Sequence, residues 1–264
     1  GANMVTLCDD MLTVNSEAVR IIPEKTIGTS FVGHGFFEGA SIRKIEDTYY
    51  FIYSSQKNHE LCYATSKYPY GGTIISNGDV GFNGRKEKDR INATGTNHGS
   101  IEKINGKWYV FYHRLTHGSD YSRQACAEPI YFEDDGSIKQ VEISSCGLNA
   151  KPLNVCGKYP AAIACNITNG KMPHISNRQF KKSIPMVTHK CNERFISGIT
   201  DETIVTYKWF DFNKLTGVIS LDIESTDEGH ISIIVDNEII ASIDIFGGGR
   251  RKITADYTLT SLGV

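Results

Sequence analysis

Two polar side chains, Glu38 and His98, stand directly before two copies of an internal repeat. The repeat pairs residues 41–55 (SIRKIEDTYYFIYSS) with residues 100–114 (SIEKINGKWYVFYHR), an offset of 59 positions. Repeated units place corresponding positions around a common centre, so we expect the carboxylate and the imidazole to converge. A carboxyl group and an imidazole at the mouth of a rigid scaffold can exchange protons with a bound substrate. The spacing therefore predicts an active site.

Both copies of the repeat are predicted to form β-strands. Each copy has a strand, a short polar turn (Glu46-Asp47 or Asn105-Gly106) and a longer strand of aromatic and β-branched residues, which is the pattern of a β-hairpin. A third hairpin is predicted over residues 128–143. Antiparallel repeats of this length are typical of four-stranded propeller blades, whose first strands line the central channel.

After residue 150 the repeat stops, and residues 151–160 contain two prolines and a glycine, as a linker does. Short alternating runs then follow, and they predict the strands of a β-sandwich; these runs are residues 203–212, 217–225, 230–237, 238–246 and 251–259. The sequence thus predicts an all-β protein, with a partial propeller over residues 1–152 and a jelly-roll-type β-sandwich over residues 153–264.

Composition excludes several classes of partner. Lys and Arg number 28 against 30 Asp and Glu, a net charge of −2, so we expect neither nucleic acid nor an anionic membrane as a partner. No apolar run reaches the roughly 20 residues that span a bilayer. The seven cysteines include no C-x-x-C pair, which predicts free core thiols rather than a disulfide framework or a structural zinc site.

Several longer strings resemble glycoside hydrolase family 43. They are residues 33–45 (GHGFFEGASIRKI), 49–55 (YYFIYSS), 96–114 (TNHGSIEKINGKWYVFYHR) and 122–130 (SRQACAEPI). The similarity is greatest to bacterial members that act on arabinofuranosyl and xylosyl residues of hemicellulose. Residues 159–167, 205–212 and 255–264 resemble a family 6 carbohydrate-binding module.

This resemblance implies a five-bladed propeller with three carboxyl groups around its axis: an Asp base, an Asp that tunes the pKa, and a Glu acid. Glu38 matches the general acid of an inverting enzyme, which needs a protonated carboxyl beside the leaving oxygen and a base across the sugar ring. The two aspartates are expected upstream of this chain. The chain is therefore expected to be an internal piece without the base and inactive alone, and its second domain is expected to stop early.

The resemblance also implies substrate contacts. Phe37, with Phe36, is expected to supply an apolar wall, and Arg123 matches an arginine that reaches the sugar. Three roles are open to His98: a core histidine, a donor to the sugar, or part of a central calcium site that it would join through water, since calcium prefers oxygen ligands. Calcium at the propeller centre is the one cofactor implied, and none is required.

Tyr207 and Trp209 are two residues apart, so on one strand they would share a face and offer a stacking platform to a sugar. Core packing is the alternative for Trp209.

The function implied is removal of terminal pentoses, α-L-arabinofuranosyl or β-D-xylosyl, from plant polysaccharide or oligosaccharide. The alternative is a non-catalytic glycan-binding propeller. Localisation is open, because a polysaccharide-binding module favours export whereas unpaired cysteines favour a reducing compartment.

Overall fold

The computed structural model describes residues 1–57, 59–69, 75–79, 90–174 and 183–263, with 75–79 as backbone only. Its described residues form strands and one 3₁₀ turn at Ala161–Ile163, so the expected all-β class is confirmed. Val264, the end of the predicted second domain, lies outside the described residues. The described part of the chain contains no helix with the length and hydropathy of a membrane span.

The strands are numbered along the chain. They are β1 (Ala2–Met4), β2 (Val19–Ile22), β3 (Phe36–Ile45), β4 (Thr48–Ser55), β5 (Leu61–Ser66), β6 (Ile75–Asp79), β7 (Ser100–Ile104), β8 (Lys107–Thr116), β9 (Ser119–Pro129), β10 (Leu153–Asn154), β11 (Asn166–Thr168), β12 (Met186–Lys190), β13 (Glu193–Ser197), β14 (Ile204–Thr206), β15 (Phe210–Asp211), β16 (Thr216–Ser225), β17 (Gly229–Val235), β18 (Glu238–Ile245) and β19 (Gly249–Thr258).

Both predicted repeat hairpins form. The first is β3–β4, and it extends into a four-stranded antiparallel sheet of order β3-β4-β5-β6. The second is β7–β8, in a three-stranded sheet of order β7-β8-β9. Such consecutive antiparallel strands are the form of a propeller blade; the complete five-bladed arrangement stays a prediction.

The two copies touch each other at corresponding positions. The hydroxyls of Ser41 and Ser100 are 2.8 Å apart, and Arg43 Nε lies 3.0 Å from Glu102 Oε2. Both pairs have the repeat offset of 59. Strands β3 and β7 therefore stand side by side as the first strands of neighbouring sheets, which brings the residues just before them to one place.

The tyrosines shared by the two copies explain part of the repeat. Tyr53 donates to the carbonyl of His34 at 2.7 Å, and Tyr50 donates to the carbonyl of Gly136 at 2.6 Å. Their counterparts Tyr109 and Tyr112 donate to the Leu148 carbonyl at 3.2 Å and to Glu128 Oε1 at 3.3 Å. A buried phenol needs a hydrogen-bond partner, so each tyrosine ties a loop to its sheet.

Strand β4 is buried on both faces. Tyr50 and Ile52 pack into a cluster with residues of β5, β7 and β8, whereas Phe51 and Tyr53 pack with Ile22 and other residues on the opposite face. A strand covered on both sides reads as a continuous apolar run rather than an alternating one, and this explains the sequence TYYFIY.

The chain divides into two compact units, Gly1–Lys151 with Lys158–Lys208, and Pro152–Gly157 with Trp209–Val264. In the first unit the Arg114 guanidinium donates to the carbonyl of Ala162 at 2.6 Å and to that of Ala164, and so ties β8 to the segment before β11. Asn92 Nδ2 donates to Asn166 Oδ1 at 3.2 Å and to the Cys165 carbonyl at 3.1 Å.

The second unit contains two long antiparallel pairs, β16–β19 and β17–β18. Their apolar residues meet in a small cluster of Ile240, Ala241, Tyr257 and Leu259. The four long alternating runs of this region thus form strands, as expected. The identity of the region as a jelly-roll, and the domain boundary at residues 152/153, stay predictions.

Two expectations about elements were wrong. Residues 128–143 form no strand pair beyond the end of β9; a single bridge, Phe132 to Ile138, closes the turn instead. The run 203–212 is not one strand, because β14 ends at Thr206 and β15 begins at Phe210. The premise that Tyr207 and Trp209 share a strand face therefore does not hold.

Candidate active site

Glu38 is positioned by an irregular start of β3. The β3–β4 pairing shifts register between Phe36 and Glu38 and again between Glu38 and Ser41. Such bulges redirect a side chain from the face that simple alternation would give it. Gly39 at φ +72° supplies the left-handed conformation that this irregularity requires. Phe36 packs into the core against Phe51 and Tyr53, so it does not wall the carboxyl as expected.

The structure brings Glu38 and His98 together. Glu38 Oε1 lies 2.9 Å from His98 Nε2, with the Glu38 side chain 43% exposed and that of His98 33% exposed. The His98 Nε2 atom is itself buried and makes no aligned hydrogen bond among the described residues. A half-exposed carboxyl against an imidazole nitrogen can take up, hold and release one proton, as general acid–base chemistry requires.

His98 is held on two sides. A β-carbon built on Gly39 would lie 2.7 Å from His98 Cδ2, so only a glycine lets the backbone of β3 pass this close. On the other side the ring meets His113 edge to face, with centroids 5.5 Å apart. These contacts fix the direction in which the imidazole faces Glu38.

Phe37 has a ring partner that the sequence did not indicate, and its role as a wall beside the carboxyl stays a prediction. Its ring stacks on His59, with centroids 4.7 Å apart and planes 13° apart, and the Phe37 side of this pair is exposed. The backbone N–H of Thr96 donates to His59 Nδ1 at 2.6 Å, so the neutral ring carries its proton on Nε2. His174 packs edge to face on His59 at 5.0 Å and contacts the Thr94 hydroxyl through Nδ1 at 3.0 Å.

Burial keeps the surrounding imidazoles neutral. Desolvation lowers the pKa of His113 to about 4, with the positive charge of Arg123 as the next cause. Desolvation also lowers the pKa of His174 to about 4. The pKa of His59 is lowered by burial as well, although the Glu38 charge opposes that shift. The imidazoles that pack behind His98 and Phe37 are thus neutral near pH 7.

The other residues predicted to contact sugar are Arg123, Tyr207 and Trp209. Arg123 is exposed on β9, and its positive charge lowers the pKa of His113. Contacts run from Glu38 through His98 to His113. Tyr207 belongs to the first unit, donates to the Ala161 carbonyl at 3.1 Å, and has its pKa raised to about 12 by burial. Trp209 belongs to the second unit and is 42% exposed.

His59 and His174 are the residues that sequence reasoning missed. His59 lies in the turn between β4 and β5, in the same sheet as Glu38. Its place in that turn was the only feature of the sequence that could have indicated a position near the site. His174 falls in the region assigned to the second domain, yet it pairs with Thr94 in the first unit.

Calcium takes six to eight oxygen ligands, from carboxylates, carbonyls and water. Among the described residues His98 belongs to no group of three or more His, Cys, Asp or Glu donors, and calcium at this position stays a prediction. No chemical step is therefore assigned to a metal at this position.

Comparison with known proteins supports the family resemblance that the sequence motifs indicated. The family model described as glycosyl hydrolases family 43 matches residues 1–138. A xylosidase/arabinosidase of Thermoclostridium stercorarium is 44% identical over 234 residues, which is 83% of this chain and 50% of the relative. A xylosidase/arabinosidase of Bacteroides ovatus is 30% identical over 152 residues, 53% of this chain and 42% of the relative.

Among solved structures, a family 43 β-xylosidase/α-arabinofuranosidase from a compost metagenome is 30% identical, covers 52% of this chain and 41% of its own, and gives a TM-score of 0.43. The chain spans about half the length of the curated relatives it matches. Since the family model covers more than half of the 264 residues, the chain belongs to glycosyl hydrolase family 43.

Proposed function

We propose that this chain carries the general acid of an inverting glycosidase that removes terminal pentose residues, α-L-arabinofuranosyl or β-D-xylosyl, from hemicellulose such as arabinoxylan. The observation that carries the proposal is the approach of Glu38 Oε1 to His98 Nε2 at 2.9 Å, on a half-exposed carboxyl at the irregular start of β3. Relatives named xylosidase/arabinosidase support the pentose class.

In the proposed reaction Glu38 gives its proton to the glycosidic oxygen as the bond to the sugar breaks. His98 holds the carboxyl in one orientation, and Phe37 on His59 offers a flat apolar surface beside it. Arg123 presents several N–H donors to sugar hydroxyls. A second carboxylate, acting as base, activates water on the opposite face of the ring; the family resemblance assigns it to an Asp outside this chain.

The test compares Glu38→Gln with the unchanged protein, each joined to the aspartate-bearing blades of the family. Loss of a general acid costs about 10²–10⁴-fold in turnover, and the loss depends on the leaving group. We expect a severe loss on a xyloside or arabinofuranoside with a poor leaving group and a small loss on a dinitrophenyl glycoside, which needs little protonation. Glu102→Gln, which removes an exposed carboxylate of β7, is the matched control.

Equal losses on both substrates would overturn the acid role. If neither protein turned over any glycoside but both bound xylo-oligosaccharide, the chain would be a glycan-binding propeller.

Two finer parts of the proposal rest on the resemblance alone. Trp209 is proposed to contact polysaccharide in a family 6 type module; loss of xylan binding in Trp209→Ala, with Phe246→Ala as an exposed aromatic control, would support it. Calcium is proposed at the propeller centre, held largely through water near His98, and no step of the reaction depends on it.

A further inference from the structure

Three metal-ligating side chains of different types converge away from Glu38. His34 precedes β3, Glu60 precedes β5, and Cys62 is the second residue of β5. His34 Nδ1 lies 3.5 Å from Glu60 Oε2 and 3.7 Å from Cys62 Sγ. The three ligand atoms all lie within 4.8 Å of one another, and this is the one such group found among the described residues.

The fold holds the three side chains in place. Glu60 and Cys62 are two residues apart at the start of an extended strand, so their side chains point to the same face. Cys62 pairs with Tyr53 across β4–β5, and the Tyr53 hydroxyl donates to the His34 carbonyl at 2.7 Å. The neighbouring Gly35 carbonyl accepts from the Gln56 N–H at 2.7 Å. Hydrogen bonds to the backbone thus fix His34 opposite the strand that carries the other two groups.

The two separations that involve His34 suit a tetrahedral ion. Zinc binds sulfur at about 2.3 Å and nitrogen or oxygen at about 2.0–2.2 Å, which sets ligand-to-ligand distances of roughly 3.3–3.8 Å in a tetrahedron. The distances of 3.5 Å and 3.7 Å fall in this range. A set of one sulfur, one imidazole nitrogen and one carboxylate oxygen favours zinc over calcium or magnesium, which prefer oxygen alone.

We propose that His34 Nδ1, the Glu60 carboxylate and Cys62 Sγ bind a divalent cation of the zinc class, with water as the fourth ligand. Glu60 and Cys62 are buried, whereas the His34 side chain is 21% exposed and marks the side from which the ion and the water enter. On binding, the thiol releases its proton to solvent and the thiolate forms the sulfur–metal bond, while His34 keeps its proton on Nε2. One thiolate and one carboxylate then balance the charge of the ion.

Such an ion would join the loop before β3 to the turn between β4 and β5. Glu38 follows His34 by four positions, so the ion would anchor the base of the strand that carries the proposed acid. Chain spacing gives no zinc motif here, because His34 and Cys62 lie 28 positions apart and only the sheet brings them together. The inference stands on these three residues and does not depend on the proposed glycosidase.

The experiment uses the 264-residue chain, reduced and stripped with a chelator. Cobalt(II) is the optical probe, because a cobalt–thiolate bond gives a near-ultraviolet charge-transfer band, and zinc is then added in competition. We expect one cobalt per chain with that band, its loss at one equivalent of zinc, and a higher Tm with zinc present. Cys62→Ser should abolish the band, and His34→Gln should weaken zinc binding by more than about 100-fold, because losing a ligand exceeds the 10–100-fold cost of losing an outer partner.

Cys146→Ser is the matched control, since it removes another buried free thiol and should leave the band unchanged. His34→Gln changes the least buried of the three groups, so it tests the site even if Cys62→Ser fails to fold. The proposal fails if the unchanged chain shows no thiolate band, if the band survives in Cys62→Ser, or if zinc affinity is the same in His34→Gln. The trio would then be a buried hydrogen-bonded cluster and nothing more.

Discussion

The backbone of Gly39 lies directly against the imidazole of His98: a β-carbon on this glycine would stand 2.7 Å from His98 Cδ2 and 3.0 Å from Cγ. Strand β3 can therefore place Glu38 beside His98 only while position 39 has no side chain. The same glycine has φ +72°, so two separate constraints act on one residue.

Gly39→Ala should lower the free energy of unfolding by about 2–4 kcal/mol, from roughly 1 kcal/mol of left-handed strain and 1–3 kcal/mol of overpacking. Gly106→Ala is the control, because Gly106 has φ +81° but no atom within 4 Å of the place that an alanine methyl group would take; it should lose only the strain. Urea unfolding of both variants gives the comparison. Equal losses would show that contact with His98 carries no cost.

Two half-buried histidines should make the first unit sensitive to mild acid. The pKa values of His113 and His174 are lowered to about 4 by burial, whereas an unfolded histidine titrates near 6.5. Between these values the unfolded chain binds protons that the folded chain does not, so stability is full above about pH 6.5 and falls as the pH drops towards 4. Urea midpoints between pH 7.5 and pH 4.5 should fall less steeply in His174→Gln than in the unchanged chain. The same slope in both would contradict the assignment.

Glu128 should act in the opposite direction. Burial raises its pKa to about 6, against the hydrogen bonds that it accepts from Ser144 and Tyr112. Its contribution is present below about pH 4.5 and is lost as the pH rises through 6. Relative to the unchanged chain, Glu128→Gln should therefore gain about 2 kcal/mol between pH 4.5 and pH 7. Glu102→Gln, an exposed change, is the control, and a constant difference across this range would refute the prediction.

Arg114→Lys should destabilise the first unit even though the charge is kept. The guanidinium binds Gln124 Oε1 at 2.9 Å as well as the carbonyls of Ala162 and Ala164, and an ammonium cannot reproduce that planar set of donors. Leaving a buried carbonyl unsatisfied costs about 1–3 kcal/mol. Arg43→Lys, at an exposed ion pair with Glu102, should cost under about 1 kcal/mol. Thermal unfolding of the two variants decides the matter, and similar losses would argue against a positioning role for Arg114.

The repeat was enough to predict the hairpins and the meeting of Glu38 with His98. Each copy carries its own turn residues and its own alternating or aromatic strand, so local sequence determines the hairpin. The offset of 59 then places Ser41 against Ser100, and the residues just before them follow. Both consequences depend on short-range pattern and on symmetry, which a single sequence displays.

The rest of the site depends on contacts that no local pattern encodes. His59 reaches Phe37 only because β4 and β5 fold back along β3, and His174 reaches Thr94 from 80 positions away. The turn at residues 133–137 was predicted as part of a hairpin, but beyond the Phe132–Ile138 bridge it is held by Tyr50 and Tyr63 of another sheet. Tertiary partners replaced the strand ladder that the turn residues suggested.

Asn92 and Asn166 each begin an Asn-x-Thr sequon, and in the folded chain their side chains are hydrogen-bonded to each other. Asn166 is 9% exposed, and the Asn92 amide nitrogen uses its hydrogens on the Asn166 side chain and the Cys165 carbonyl. An oligosaccharide on the Asn92 nitrogen would replace one of these two hydrogens, and one on the buried Asn166 would have to displace the residues packed around it. In yeast or another host that glycosylates secreted proteins, attachment of sugar would therefore compete with the folding of β11 against β14. Bacterial expression avoids this competition.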